Sequence, residues 1–225
     1  AIANGWSSYF KSLLEGFGII LPKEFTTLPS EGGYGNILAI SVVLLIMIVL
    51  FKGTNSGKFV NNLMVAVKII VILLFVLVGM FYVTPTNWTD NFAPQGMSGI
   101  MIGATTVFFA YLGFDTISTS AEETVNPQKA LPRAIIITLL ICTVFYIIVC
   151  LVITGMVPFN QLGKGDALAY VLGVVGQDKV AGIVSLGAVI GLLSGPLGTM
   201  FAAVRILFTM SRDGLLPKKL SSLNK

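Results

Sequence analysis

The stretch that decides the fold runs from Thr105 to Arg133, TTVFFAYLGFDTISTSAEETVNPQKALPR. It begins inside an apolar segment long enough to cross a bilayer and ends in an acidic loop interrupted by proline. Asp115 follows directly after an aromatic and glycine-containing cluster, Phe108–Phe114. A charged side chain at membrane depth costs about 3 kcal/mol, so an intramembrane carboxylate is by default a hypothesis for a functional site.

The composition is that of an integral membrane protein. Of the 225 residues, 55% are hydrophobic and 11% are charged, and the mean hydropathy is +0.91. Soluble domains carry about 25% charged residues, so this chain has too little polar surface to coat itself in water. The net charge of +4 does not indicate nucleic acid, because the basic residues lie in short connections between apolar runs.

The sequence lacks the residue clusters that catalysis and metal binding require. It contains no histidine and two cysteines, so no cluster of these residues offers a transition-metal site. No Ser/His/Asp or Cys/His arrangement for nucleophilic catalysis is present in it either. We therefore expect neither an enzyme nor a bound metal or cofactor.

Residues 1–225 are interpreted as a single transmembrane region, and the way both ends begin and stop indicates a piece of a longer protein. Apolar runs bounded by Gly, Pro and polar residues predict six helical segments. Their approximate ranges are 1–14, 36–51, 59–83, 97–121, 134–157 and 180–211. Pro132 is expected in the first turn of the fifth segment, and Gly195-Pro196 is expected to kink the sixth.

The positive charges predict the orientation in the membrane. Residues 52–58, 122–133 and 212–225 contain eight Lys and Arg residues, whereas the alternate connections contain three. Under the positive-inside rule those three segments are cytoplasmic in a multi-pass protein of the cell membrane, and the chain begins on a helix that runs outward. In a connection predicted to lie outside, Asn87-Trp88-Thr89 fits a glycosylation acceptor.

Lys68 stands inside the third apolar segment and allows two interpretations. If the helix enters hydrocarbon only at Leu63, Lys68 lies one turn deep and its long stem reaches the headgroups. If Lys68 is instead buried in a helix bundle, lost hydration favours its neutral form, so it could load and release a proton. A buried ammonium can also occupy the place of a coupling cation.

The cluster from Phe108 to Thr116 also allows two interpretations. Gly113 loosens the helix, and the small residues before it allow close approach of a neighbouring backbone, which is simple helix packing. Alternatively the helix is broken here, so that unwound carbonyls accept a ligand's ammonium and a half-helix N-terminus faces its anionic group. Asp115 favours the break, because an intramembrane carboxylate needs partners.

Three motifs, in this order along the chain, resemble those of one transporter family. Phe108–Asp115 (FFAYLGFD), with Ala121–Glu123 and Asn126–Arg133 (NPQKALPR), resembles the sixth helix and following loop of amino acid–polyamine–organocation (APC) transporters. Ala203–Pro217 resembles the end of their eighth helix, and Gly5–Tyr9 the outer end of their third. The resemblance is strongest to the cationic amino acid transporter branch and its bacterial homologues.

The resemblance implies an all-α integral membrane fold, the inverted five-plus-five repeat of LeuT-like transporters, present in part and with a discontinuous sixth helix. It implies that Phe109 is an aromatic gate above the substrate. Backbone carbonyls near Phe109, Ala110 and Leu112, with Gly113 beside them, would receive the substrate's ammonium group. Asp115 and Thr116 would support the unwound region. Lys68 corresponds to a fifth-helix lysine of proton-coupled relatives, which stands near the place of a coupling sodium.

The function implied is secondary active transport of an amino acid by alternating access, with a proton as the coupling ion in symport. The alternatives are an amino acid exchanger or polyamine carrier of the same fold, or a non-transporting membrane subunit. The family's first and second helices, and its ninth onward, have no counterpart in these residues. The expected partners are the amino acid, the lipid bilayer and those missing helices, with no nucleic acid.

Overall fold

The computed structural model describes residues 2–26, 33, 35–51, 54–89, 93–111, 113–114, 117–118 and 124–217. Every regular element in these ranges is helical. The α-helices are α1 Ile2–Gly16, α2 Ile37–Phe51, α3 Thr54–Gly79, α4 Thr86–Thr89, α5 Gly96–Phe108, α6 Pro127–Met156, α7 Ala167–Val174, α8 Asp178–Leu192 and α9 Ser194–Arg212. Short 3-10 turns follow α3 at Met80–Tyr82 and α5 at Phe109–Tyr111.

Three helical stretches in the described part are long and apolar enough to cross a membrane, namely Val60–Tyr82, Pro127–Met156 and Asp178–Arg212. The shorter α2 and α5 are apolar as well. This agrees with the composition, and the chain is a multi-pass membrane protein. The orientation in the membrane stays a prediction. Of the segments predicted to be cytoplasmic, residues 52–53, 122–123 and 218–225 lie outside the described ranges.

The fifth predicted segment begins earlier than the hydropathy indicated. α6 starts at Pro127 instead of near residue 134, so the loop expected up to Pro132 is helical over its last residues. Asn126 has a φ of 54°, and its carbonyl accepts the N–H groups of Lys129 and Ala130, which starts the helix. Pro127 fits the first helical position because its missing N–H has no partner there in any helix.

The fourth and sixth predicted segments are also divided differently. α5 ends as an α-helix at Phe108, far short of residue 121. The run predicted over 180–211 is interrupted at Leu193, two residues before the expected kink at Gly195-Pro196. Pro196 explains the position, because it has no N–H to donate to the carbonyl of Leu192 four residues earlier.

Contacts divide the chain into two compact units. The first comprises Ala1–Phe92 and Tyr146–Leu197, and the second Ala93–Phe145 and Gly198–Lys225. The hydrophobic core of the first unit joins α3, the end of α6, α7 and α8. Four of its side chains, Phe75, Val171, Leu172 and Val184, are completely buried. Their burial fixes how α7 and α8 pack against α3.

The connection after α3 closes over the end of α6 within this unit. The carbonyl of Gly155 accepts two hydrogen bonds, from the Thr84 N–H at 2.9 Å and the Asn87 Nδ2 at 2.8 Å. The indole N–H of Trp88 donates to the carbonyl of Leu151 at 3.1 Å. Carbonyls in the last turn of a helix need such outside donors. Asn87 Nδ2 is therefore a structural donor, and the glycosylation acceptor at Asn87-Trp88-Thr89 stays a prediction.

Candidate functional site

In the second unit, α5 loses its regular helical bonding at the aromatic cluster. The hydroxyls of Thr105 and Thr106 each donate at 2.9 Å to the carbonyl four residues earlier, a contact that weakens and bends helices. The N–H of Phe109 bonds to the Thr106 carbonyl, three residues back, so the backbone tightens into a 3-10 turn. Gly113 has a φ of +112°, which residues with a side chain rarely adopt, so a regular helix does not pass through it.

A side-chain hydrogen bond ties this turn to α6. The hydroxyl oxygens of Tyr111 and Thr143 lie 2.9 Å apart. Thr143 donates its own hydrogen to the carbonyl of Leu139 at 2.8 Å, so Tyr111 is the donor of the pair. This hydrogen bond fixes Tyr111, at the end of the turn, against α6.

The predicted substrate residues divide between described and undescribed parts of the chain. Phe109 and Ala110 lie in the 3-10 turn and are exposed, and Gly113 lies two residues after it. The rings of Phe108 and Phe109 meet edge to face, with centroids 6.1 Å apart. Leu112, Asp115 and Thr116 fall outside the described residues. Substrate binding by Phe109, Ala110, Leu112 and Gly113 remains a prediction. The supporting role of Asp115 and Thr116 remains a prediction as well.

In the first unit, Lys68 lies nearer to the start than to the end of the apolar stretch Val60–Tyr82. At 1.5 Å per residue, about 12 Å of helix lie between Lys68 and Val60 and about 21 Å between Lys68 and Tyr82. The hydrocarbon core of a bilayer is about 30 Å thick, so this position favours a lysine below the headgroups, although not at the centre of the membrane. Lys68 is nevertheless exposed, and it forms no ion pair with any residue that the structure describes. The described part of the chain therefore does not bury the Lys68 side chain.

Beside Lys68, α8 ends in a break whose backbone groups are bonded by side chains. The N–H of Leu193 bonds to the Ile190 carbonyl three residues back, and not to Val189. The Val189 carbonyl instead accepts the indole N–H of Trp6 from α1 at 2.8 Å. The Ser194 hydroxyl donates to the carbonyl of Gly191 at 2.7 Å. The carbonyls of Val189, Ile190 and Gly191 therefore each have a hydrogen-bond donor at the break.

Two glycines four residues apart let α3 and α8 approach closely. A Cβ at Gly187 would collide with the side chain of Val71, and a Cβ at Gly191 would lie 2.9 Å from the Cβ of Lys68. Small residues at this spacing form one face of a helix and allow close backbone contact in membranes. Sequence reasoning did not single out this pair, although the signal Gly-Ala-Val-Ile-Gly over 187–191 was readable.

The first unit also contains an open cavity of about 930 Å³ between α1, α7 and α8. Its polar lining residues are Ser12, Asp166, Tyr170, Asp178, Lys179 and Ser185. α7 is joined to α1 beside it, since the Leu168 N–H donates to the Tyr9 hydroxyl at 3.4 Å. We did not predict a cavity here from the sequence.

Comparison with known proteins agrees with the motifs. The sequence profile of the amino acid permease family matches residues 2–225. The chain is 49% identical to a methylthioribose transporter of Bacillus subtilis over 219 residues, which cover 96% of the chain and 47% of that protein. It is 44% identical to the branched-chain amino acid permease BcaP of the same organism over 229 residues, covering 100% of the chain and 49% of the permease.

A plant relative extends the similarity to the cationic branch. The chloroplastic cationic amino acid transporter 9 of Arabidopsis thaliana is 38% identical over 234 residues, covering 100% of the chain and 40% of the relative. The chain spans about half the length of the bacterial relatives that it matches. The relatives are named as permeases and transporters and not as enzymes. The chain belongs to the amino acid permease family, in the APC superfamily of membrane transporters.

Proposed function

We propose that the protein containing this chain is a secondary amino acid transporter that works by alternating access and is driven by protons. The observation that carries the proposal is Lys68, which lies inside the membrane-length stretch Val60–Tyr82 and packs against α8 next to its break. An ammonium at membrane depth is costly unless it faces protein or water, so such a lysine is retained for a function.

A proton on Lys68 would serve as the coupling ion. The protonated lysine places one positive charge beside α8, and the neutral lysine removes it, so the charge at this position changes as the proton is taken up and released. No metal or organic cofactor is part of the proposal. The inverted five-plus-five repeat of LeuT-like transporters is the architecture in which the two units would work together with the missing helices.

The substrate would bind at the interruption of α5. Carbonyls around Phe109, Ala110 and Leu112, next to Gly113, would accept the ammonium of the amino acid, while Asp115 and Thr116 would keep the unwound region in place. An unwound segment is where transporters of this kind expose backbone carbonyls at membrane depth. Asp115 is the one acidic residue predicted at that depth, which favours a small or neutral amino acid over a cationic one.

A second cargo is favoured by one comparison. The methylthioribose transporter, 49% identical to this chain, is named for a substrate other than an amino acid. A thiosugar has no ammonium, so it would not use carbonyls at Phe109 as acceptors for a charged group. Binding of a panel of neutral, branched and cationic amino acids and of methylthioribose to the full-length protein separates the two cargoes.

Proton coupling is tested with the full-length transporter in proteoliposomes. We expect Lys68→Ala to abolish uptake driven by a pH gradient while preserving counterflow exchange at equal pH on both sides. Lys68→Arg is the matched control, because it keeps the positive charge and does not release its proton, and it should also lose gradient-driven uptake. If Lys68→Ala uptake remained fully dependent on the pH gradient, the role of Lys68 would be refuted. Exchange that proceeds in the wild type without any gradient-driven uptake would favour an exchanger.

A further inference from the structure

A chain of two hydrogen bonds runs from the turn Phe109–Tyr111 into α6. The Tyr111 hydroxyl oxygen lies 2.9 Å from Thr143 Oγ1, and Thr143 Oγ1 lies 2.8 Å from the Leu139 carbonyl oxygen. A threonine hydroxyl has one hydrogen, and it goes to Leu139, so donation runs from Tyr111 to Thr143 to Leu139. Tyr111 and Thr143 both belong to the second unit, so this is a contact within one compact body.

The hydroxyl of Thr143 is not needed for the backbone bonding of α6. Inside an α-helix, the carbonyl of Leu139 is the regular acceptor for the N–H of the residue four positions later, which is Thr143 itself. The bond from the Thr143 hydroxyl is therefore added to a carbonyl that already has a donor. The specific contribution of the Thr143 oxygen is to accept the hydroxyl of Tyr111.

Tyr111 is well placed to fix the backbone that would meet a substrate. Of the three residues in the turn, it is the one whose side chain can form hydrogen bonds. The side chain of Phe109 is 63% exposed, whereas that of Tyr111 is half-buried. Tyr111 lies between Ala110 and Leu112, whose carbonyls are proposed acceptors of the ammonium. An anchored Tyr111 side chain therefore fixes the backbone from which both carbonyls project.

We propose that Thr143 is a positioning residue for substrate binding, and this inference rests on the proposed binding of an amino acid at the interruption of α5. By accepting the Tyr111 hydroxyl, Thr143 holds the turn against α6 with its carbonyls directed toward the ammonium of the amino acid. A backbone already held in the binding conformation loses less freedom when the ligand binds, so removal of the bond weakens binding.

The experiment measures counterflow of L-alanine, a small neutral amino acid, in proteoliposomes of the full-length protein at equal pH on both sides. Thr143→Val and Tyr111→Phe each remove the bond and nearly keep the shape of the side chain. Each should raise the half-saturating concentration on the order of fivefold, the equivalent of one net hydrogen bond. The maximal rate per folded protein should stay close to that of the wild type, because a loss of binding alone leaves turnover unchanged.

Two further variants show whether the effect comes from this one bond. The double variant should bind L-alanine no more weakly than either single variant, because all three lack the same contact. Thr143→Ser keeps the hydroxyl and should restore the half-saturating concentration of the wild type. If Thr143→Val does not fold, the comparison of Tyr111→Phe with Thr143→Ser carries the same test.

Thr154 offers a matched control on the same helix. It is half-buried like Thr143, and its hydroxyl donates at 2.6 Å to the Cys150 carbonyl four residues earlier. In the described part of the chain, however, no side chain donates a hydrogen bond to Thr154. Thr154→Val should therefore keep the half-saturating concentration of the wild type.

The outcomes separate this inference from the proposed function. An unchanged half-saturating concentration in Thr143→Val or Tyr111→Phe, an equal increase in Thr154→Val, or additive effects in the double variant would overturn positioning, while amino acid transport by the wild type would stand. If the wild type shows no counterflow of L-alanine, the proposed binding at the interruption fails, and positioning falls with it. Proton coupling is scored separately by gradient-driven uptake of Lys68→Ala, because counterflow at equal pH does not use the gradient.

Discussion

Asn87→Asp tests the contact that closes the end of α6. In the wild type, the Gly155 carbonyl accepts the Asn87 side-chain amide at 2.8 Å and the Thr84 N–H at 2.9 Å. The substitution keeps the shape of the side chain and exchanges the donor for an oxygen. At neutral pH a carboxylate would then face a carbonyl in the last turn of α6, where the helix dipole is negative.

The expected cost follows from two contributions. Loss of one hydrogen bond to a carbonyl that keeps its second donor costs about 1 kcal/mol. Repulsion of a partly buried anion at a helix C-terminus adds about 1 kcal/mol. Together, about 2 kcal/mol corresponds to a decrease of about 2–4 °C in the melting temperature of a full-length protein with the length of the bacterial relatives. Asn87→Ala loses only the hydrogen bond and should decrease by about half as much.

The pH dependence distinguishes the repulsion from a general loss of packing. The carbonyl and the helix end disfavour the charged form, so the pKa of the introduced carboxyl in the folded protein is above its ordinary value. A protonated carboxyl can donate to Gly155 as Asn87 does. Its stabilising contribution is therefore fully present below the ordinary carboxyl pKa and is lost as the pH rises through the raised one.

Thermal unfolding of the full-length protein in detergent between about pH 3.5 and pH 8, a range that includes the ordinary aspartate pKa of about 3.9, gives the measurement. Asn87→Asp should approach the wild type at the acidic end and fall below Asn87→Ala at the alkaline end. Asn87→Ala should keep a constant difference from the wild type. The reasoning fails if the two variants show the same melting temperature at every pH.

Two further substitutions test the contacts around α8. Trp6→Phe keeps an aromatic ring to stack on Phe10 but leaves the Val189 carbonyl without its indole donor. It should lower the free energy of unfolding by about 1–3 kcal/mol. A melting temperature equal to that of the wild type would contradict the role of this bond. Tyr82→Phe removes the hydroxyl that accepts Gln177 Nε2 at 2.5 Å, at the start of α8, and should cost about 1 kcal/mol in the same assay without changing transport at equal pH.

The class of fold could be predicted from composition, whereas the helix boundaries depended on single residues. Hydropathy places α6 near residue 134 because Gln128, Lys129 and Arg133 are polar, but backbone bonding decides where a helix starts. Asn126, at a φ of 54°, and Pro127 begin the helix despite the charges that follow. Polar residues in a first turn extend a helix beyond its apolar span, and no hydropathy window detects that extension.

The sequence was enough to propose Lys68 as a site residue, but it was not enough to predict how Lys68 packs against α8. Lys68 stands out in any apolar run because a charge there is expensive. Gly191 has no such signal, because its part in the packing comes from a close contact: a Cβ added there would lie 2.9 Å from the Cβ of Lys68, which is over a hundred positions away in the sequence. Close approach between two helices depends on their register, which one sequence does not contain. The same limit applies to Trp6, whose partner is a backbone carbonyl.

The two helix interruptions, described each in its own unit, obey one physical requirement. Backbone groups in hydrocarbon must be bonded within the protein, so a helix breaks only where substitutes are available. In the first unit the Trp6 indole and the Ser194 hydroxyl supply donors to carbonyls of α8. In the second, the 3-10 bond from Phe109 closes the turn. Carbonyls bonded by side chains can exchange that donor for a ligand's ammonium far more cheaply than carbonyls inside a continuous helix, whose partners are fixed by the backbone. An interruption is therefore a place where a transporter can bind a substrate or respond to a proton without unfolding. For this reason, transport should be tested at Lys68, next to the break in α8, and at the turn that contains Phe109.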